Sequence, residues 1–169
     1  MRPDLSLVAD HFHKYINCVA EDSLPESFEK QSASFIRFLE TIPEERRNYR
    51  YAPEKWTIQE VLQHIIDSER VFAYRALCFS RHDATPLPGF DENSYAVYAR
   101  ASTRSWDKIV EEFKVVRRSS ELLFRSFDEE QLQARGIASN NPNYVLALGF
   151  IIIGHAIHHA DIIKERYLN

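Results

Sequence analysis

The stretch Tyr144-Val145-Leu146-Ala147-Leu148-Gly149-Phe150-Ile151-Ile152-Ile153-Gly154-His155-Ala156-Ile157-His158-His159-Ala160-Asp161 decides how the rest of the chain is read. Ten residues run without a charge and then meet three of the chain's seven histidines. The run is too short to span a membrane and reads as a buried helix. His155 and His159 stand four residues apart, so on a helix they project from one face and can reach one metal ion together. Both interrupt the most apolar helix of the chain, where a polar group without a partner is costly.

Working outward, three more helices are expected. One covers about residues 24–40, with Phe28, Phe35, Phe38 and Leu39 apolar and Pro43 ending it. The next covers about Thr57–Ser80. Thr57 followed three residues later by Glu60 is a capping-box signal, and Ile58, Val61, Leu62, Ile65, Phe72, Ala76 and Phe79 follow helical spacing. The third covers about Arg104–Phe127, capped by Ser102 or Thr103, with Trp106, Ile109, Val110, Phe113, Val116, Leu123 and Phe124 on its apolar face. The last runs from about Pro142, placed at the first helical turn, to Arg166. Residues 1–23 read as either a lead-in helix or an extended arm. No alternation is long enough to suggest a sheet, so the fold class is all-α, a four-helix bundle in one domain of 169 residues.

The gaps carry direction. Segment 81–103, with Pro86, Pro88 and Gly89, is long for a connection and can return along the bundle, which lets the second and third helices run parallel. His64 lies near the start of the second helix, and the His155/His159 pair lies near the end of the fourth. Antiparallel packing of those two helices brings the three histidines to one level, where they can close on a divalent ion. The crossover then ends nearby and brings Tyr95 and Tyr98 towards the site. Asp67, one turn from His64, is either a carboxylate that orients a ligand or a solvated side chain. Arg75, on the His64 side of its helix, either attracts an anionic substrate or is an ordinary surface arginine. His158 falls on a flank, and His11, His13 and His82 read as surface residues. Glu69 and Arg117 each sit inside an apolar stripe about twelve residues into parallel helices, and are expected to form a buried pair.

Composition narrows the function. The net charge of −4 disfavours nucleic acid. Four glycines leave no phosphate-binding loop, and two cysteines, Cys18 and Cys78, form neither a disulfide framework nor a CxxC pair. Met1-Arg2-Pro3-Asp4-Leu5 shows no apolar signal region, so a reducing cytoplasm and no membrane partner are expected.

The segments Trp56-Thr57-Ile58-Gln59-Glu60-Val61-Leu62-Gln63-His64-Ile65-Ile66-Asp67-Ser68-Glu69, Pro88-Gly89-Phe90-Asp91 and Gly154-His155-Ala156-Ile157-His158-His159 resemble the DinB/YfiT-like superfamily, over about residues 25–167. The resemblance implies an up-down-down-up bundle that holds nickel or zinc through His64, His155 and His159. It also implies a small-molecule substrate, a thiol cofactor such as bacillithiol or mycothiol in some relatives, and a homodimer. Three expectations follow: a metal-dependent low-molecular-weight-thiol S-transferase in detoxification, a metal-dependent hydrolase sharing the same donors, or a metal-binding, stress-linked protein without catalysis.

Overall fold

A computed structural model describes residues 1–169. Two short 3-10 turns lead into α1 (His13–Cys18). Then come α2 (Leu24–Glu40), α3 (Glu44–Arg47), α4 (Ile58–Ser80), α5 (Glu92–Ala99), α6 (Trp106–Arg125) and α7 (Glu129–Gln133). A hairpin of β1 (Arg135–Ala138) and β2 (Asn141–Tyr144) precedes α8 (Val145–Arg166). The long helices α2, α4, α6 and α8 form the bundle.

Side-chain contacts give the directions. Gln63 meets Arg104 and Arg70 meets Glu112, so α4 and α6 run parallel. Tyr167 donates to the Trp56 carbonyl at 2.8 Å while His64 meets His155, so α8 opposes α4. Phe28 packs on Phe124 and Phe35 on Phe113, so α2 opposes α6. The order is up-down-down-up, with residues 81–103 as the crossover.

Helix α8 is long and apolar enough to cross a membrane by composition alone, yet every residue from Val145 to Ala156 is buried inside the bundle. It is the shared wall of two apolar clusters. Val145–Ile153 join Phe28, Phe72 and Phe124 in one, and Ala156, Ala160 and Ile163 join Phe35, Ile66 and Phe113 in the other. A buried polar layer separates them and takes residues from all four helices: Gln31, Ser68, Glu69, Arg117, Ser120 and His155. The expected Glu69–Arg117 pair lies in this layer, 2% and 1% exposed, and is bidentate: Arg117 Nε donates to Oε1 at 2.9 Å and Nη2 to Oε2 at 2.8 Å. Gln31 accepts from the remaining nitrogen of the fork.

Four expectations need correction. Pro142 is not in the first turn of α8 but in β2, because Ser139 (φ 52°) and Asn140 (φ 62°) both take the left-handed conformation that closes a two-residue hairpin. The four-residue strands are too short to leave an alternating pattern in the sequence. Helix α6 starts after Ser105, because Ala101–Thr103 forms a separate 3-10 turn. His13 is half-buried, with Nε2 at 3.0 and 2.9 Å from the Leu5 and Val8 carbonyls, so it ties the leading turns to α1.

That leading segment packs closely on α8. A Cβ on Gly154 would lie 1.9 Å from the Tyr15 carbonyl oxygen, so only glycine permits the approach. Gly154→Ala is expected to lower stability by about 1–3 kcal/mol through overpacking and to speed amide exchange in residues 1–23. Exchange at the parent rate would show that α1 does not depend on this contact.

Candidate metal centre

The centre begins with the start of α4. Thr57 accepts from the Glu60 amide at 3.1 Å, and Glu60 accepts from the Thr57 amide at 2.8 Å. This box fixes the first turn, so that His64 falls two turns on, facing α8. From α8, His155 and His159 face back. Nε2 of His155 lies 3.1 Å from Nε2 of His64 and 3.1 Å from Nε2 of His159, and all three donor atoms lie within 4.8 Å of one another. His64 and His155 are buried at 8% and 5% exposure, and His159 is half-buried.

Burial drives the electrostatics. Desolvation lowers the pKa of His64 to about 4 and that of His159 to about 3, the latter aided by its histidine neighbours and Lys14. His155 is also held well below the usual range, first by desolvation and then by repulsion from the other histidines. All three are therefore neutral near pH 7. An imidazole nitrogen carries either one proton or one lone pair, so His155 Nε2 cannot make two good hydrogen bonds to its two neighbours. Three lone pairs directed at one cation would remove this conflict at Nε2, and the two 3.1 Å separations suit donors to one ion held at about 2.0–2.1 Å per nitrogen. The donor set fits a divalent ion.

A pH effect follows from the same shifts. The unfolded chain protonates these histidines near 6.5 and the folded chain only near 4 or below. Between those values the unfolded state binds more protons, so stability falls as pH falls, by up to about 1.4 kcal/mol per pH unit per histidine. Urea unfolding of chelator-treated protein is expected to show this loss from pH 6.5 to 4.5, with a shallower slope in His64→Asn. Equal slopes would contradict it.

The surroundings are aromatic. Trp56, one residue before the cap, packs its ring at a tilt against His64 with ring centres 4.8 Å apart. Tyr15 of α1 sets its ring edge-on to His155 at 5.2 Å and to His158 at 5.3 Å, which leaves His158 outside the cluster of three. Phe72 stands 6.2 Å from His155. His159 opens on a cavity of about 240 Å³ lined with Tyr51, Glu54, Lys55, Trp56, Asn93 and Tyr167.

The other sequence candidates lie elsewhere. Asp67 accepts from Gln63 at 3.1 Å and pairs with Arg70 at 3.6 Å, contacts that do not include His64, and burial raises its pKa. Tyr95 and Tyr98 are exposed and line a separate cavity of about 420 Å³ with Asp67, Arg70 and Val71. Arg75 is not a surface arginine: at 4% exposure its Nη2 donates to the Pro88 carbonyl and to Ser139 Oγ, each at 3.0 Å. From the crossover it is Asn93, not either tyrosine, that reaches the His159 cavity. Trp56 had a sequence signal in its place beside the cap. Asn93 and Tyr15 had none, because both reach the centre only through tertiary packing.

A bundle of this topology, with three histidines converging from two antiparallel helices, defines a class of helical proteins with a histidine-rich centre. The chain belongs to the DinB superfamily, whose family model matches residues 27–163. Among solved structures it resembles YfiT from Bacillus subtilis, described as a probable metal-dependent hydrolase with an unusual four-helix bundle topology (TM-score 0.72, 16% identity, 98% of this chain and 90% of that one). It also resembles a mycothiol-dependent maleylpyruvate isomerase (TM-score 0.70, 12% identity), covering 82% of this chain and 58% of that longer one. No curated protein matches it in sequence.

Proposed function

We propose that the chain is a divalent-metal-dependent enzyme acting on a small molecule. Its ligands are His64, His155 and His159, its ion is nickel or zinc, and its reaction is transfer of a low-molecular-weight thiol to an electrophile, as in detoxification. The observation that carries this reading is the convergence of three neutral Nε2 atoms beside a cavity that His159 itself lines. Bound to neutral donors only, the ion keeps its full charge and favours the thiolate form of a thiol over the thiol.

The remaining work falls to the chain. Tyr15 and Phe72 cover the His155 side with aromatic rings and exclude water there. Tyr167, held by its bond to the Trp56 carbonyl, braces the cavity wall. Asn93 offers both a donor and an acceptor to a bound thiol, and Lys55 offers a positive charge for a carboxylate on it. Hydrolysis is the second reading, favoured by one observation: Glu54 places a carboxylate on the same cavity, where a general base would be needed.

Metal-loaded protein incubated with bacillithiol or mycothiol and an electrophile is expected to yield the thiol conjugate by mass spectrometry, and His64→Ala none. Turnover of an activated ester without conjugate would move the assignment to hydrolysis. Inactivity on both would overturn the enzymatic reading and leave metal binding alone.

A further inference from the structure

The crossover groove contains a buried cation with no matching acid. Arg75 has no carboxylate within ion-pair distance, whereas its neighbour Arg70 is matched by Asp67 at 3.6 Å and Glu112 at 2.6 Å. A buried charge without a partner is costly unless something compensates it. The two bonds from Arg75 Nη2 to Pro88 and Ser139 are to neutral acceptors. Its Nε and Nη1 have no protein acceptor, and neither is sealed from solvent. The space that Arg75 lines is a cavity of about 280 Å³ that the acid-matched Arg70 also borders, walled by Val71, Tyr74, Leu87, Phe90 and Tyr95.

We propose that this cavity is a second ligand site, taking a small organic monocarboxylate with a flat apolar body, its carboxylate on Arg75 and its body against the wall that Phe90 and Tyr95 form together. Guanidinium matches carboxylate in shape as well as charge. A single uncompensated cation suits a monoanion better than a phosphate dianion. The apolar walls ask for a body that simple inorganic anions lack. The framework is fixed: the Leu87 amide donates to the Ile137 carbonyl at 2.9 Å, the Ser139 amide donates back to the Leu87 carbonyl at 3.0 Å, and the Phe90 and Tyr95 rings pack at a tilt with centres 5.2 Å apart. The site shares no lining residue with the His159 cavity. Phe72 stands between Arg75 and the histidines, 5.8 Å from the guanidinium and 6.2 Å from His155. The proposal therefore does not rest on the metal.

The test is titration of the full chain, with and without chelator, using benzoate, benzyl alcohol and inorganic phosphate as probes, followed by amide chemical shifts. Benzoate is expected to bind saturably in both metal states and to shift Gly89, Phe90 and Tyr95. Arg75→Gln is expected to weaken it at least about 10-fold, as for loss of a charge-assisted bond. Equal binding of benzyl alcohol or phosphate, shifts centred on Trp56 and His159, or undiminished affinity in Arg75→Gln would overturn the proposal. If Arg75→Gln does not fold, the parent shift map and Tyr95→Ala decide: benzoate that leaves the Gly89–Tyr95 amides unmoved, or binds Tyr95→Ala as tightly, also overturns it.

Discussion

His155→Ala is expected to bring bound divalent metal to background in protein purified without chelator, with an affinity loss of at least about 100-fold, since loss of even an outer-shell partner costs 10–100-fold. His155 is the right residue to remove because its Nε2 is the one that meets both others. Without it, His64 and His159 come from different helices and lose the donor that links them. The same change takes a polar ring out of a buried layer, so the metal-free variant should still fold and melt as one unit. Elemental analysis together with a melting curve separates the two effects. Parent-like metal content in a folded His155→Ala protein would remove the three-histidine centre from consideration.

Arg117→Ala is expected to cost about 3–5 kcal/mol, because it strands the Glu69 carboxylate inside the bundle. At about 2–4 °C per kcal/mol for a chain of this size, the melting temperature should fall by at least about 6 °C. The guanidinium also lies 5.1 Å from the Phe113 ring centre and 5.8 Å from that of Phe28, so the loss includes packing. Replacing both partners with apolar residues of similar volume should recover much of the loss, since the pair's value lies in neither charge being left alone. Calorimetry on Arg117→Ala and on the Glu69→Leu/Arg117→Met double variant checks both statements. A single variant that melts within 2 °C of the parent would show that the pair contributes little.

What the sequence made legible follows physical lines. Helices that bury one face write a period into the chain, so the extents of α2 and α4 could be read to within a residue. The Glu69–Arg117 pair was visible because each charge breaks such a period at matching depth. The three histidines emerged from level and direction, not from spacing alone. The β1–β2 hairpin was missed because its strands are four residues each and its turn, Ser139-Asn140, lacks the glycine that usually marks a two-residue loop. The burial of Arg75 was not legible because it depends on Pro88 and Ser139, 13 and 64 residues away along the chain. Tyr15 could not be placed at all, since a lead-in segment has no fixed partner until α8 is present.

Position along the chain gives α8 a consequence for biosynthesis. Both apolar clusters and two of the three histidines belong to it, and it is the last of the four long helices to be made. A nascent chain reaching only Tyr144 would carry α2, α4 and α6 with their apolar faces uncovered and a lone His64. Domains generally fold as units as they emerge. Here neither cluster can close before α8 has been made, so the apolar faces of α2, α4 and α6 stay uncovered until the chain has been extended past Ile163.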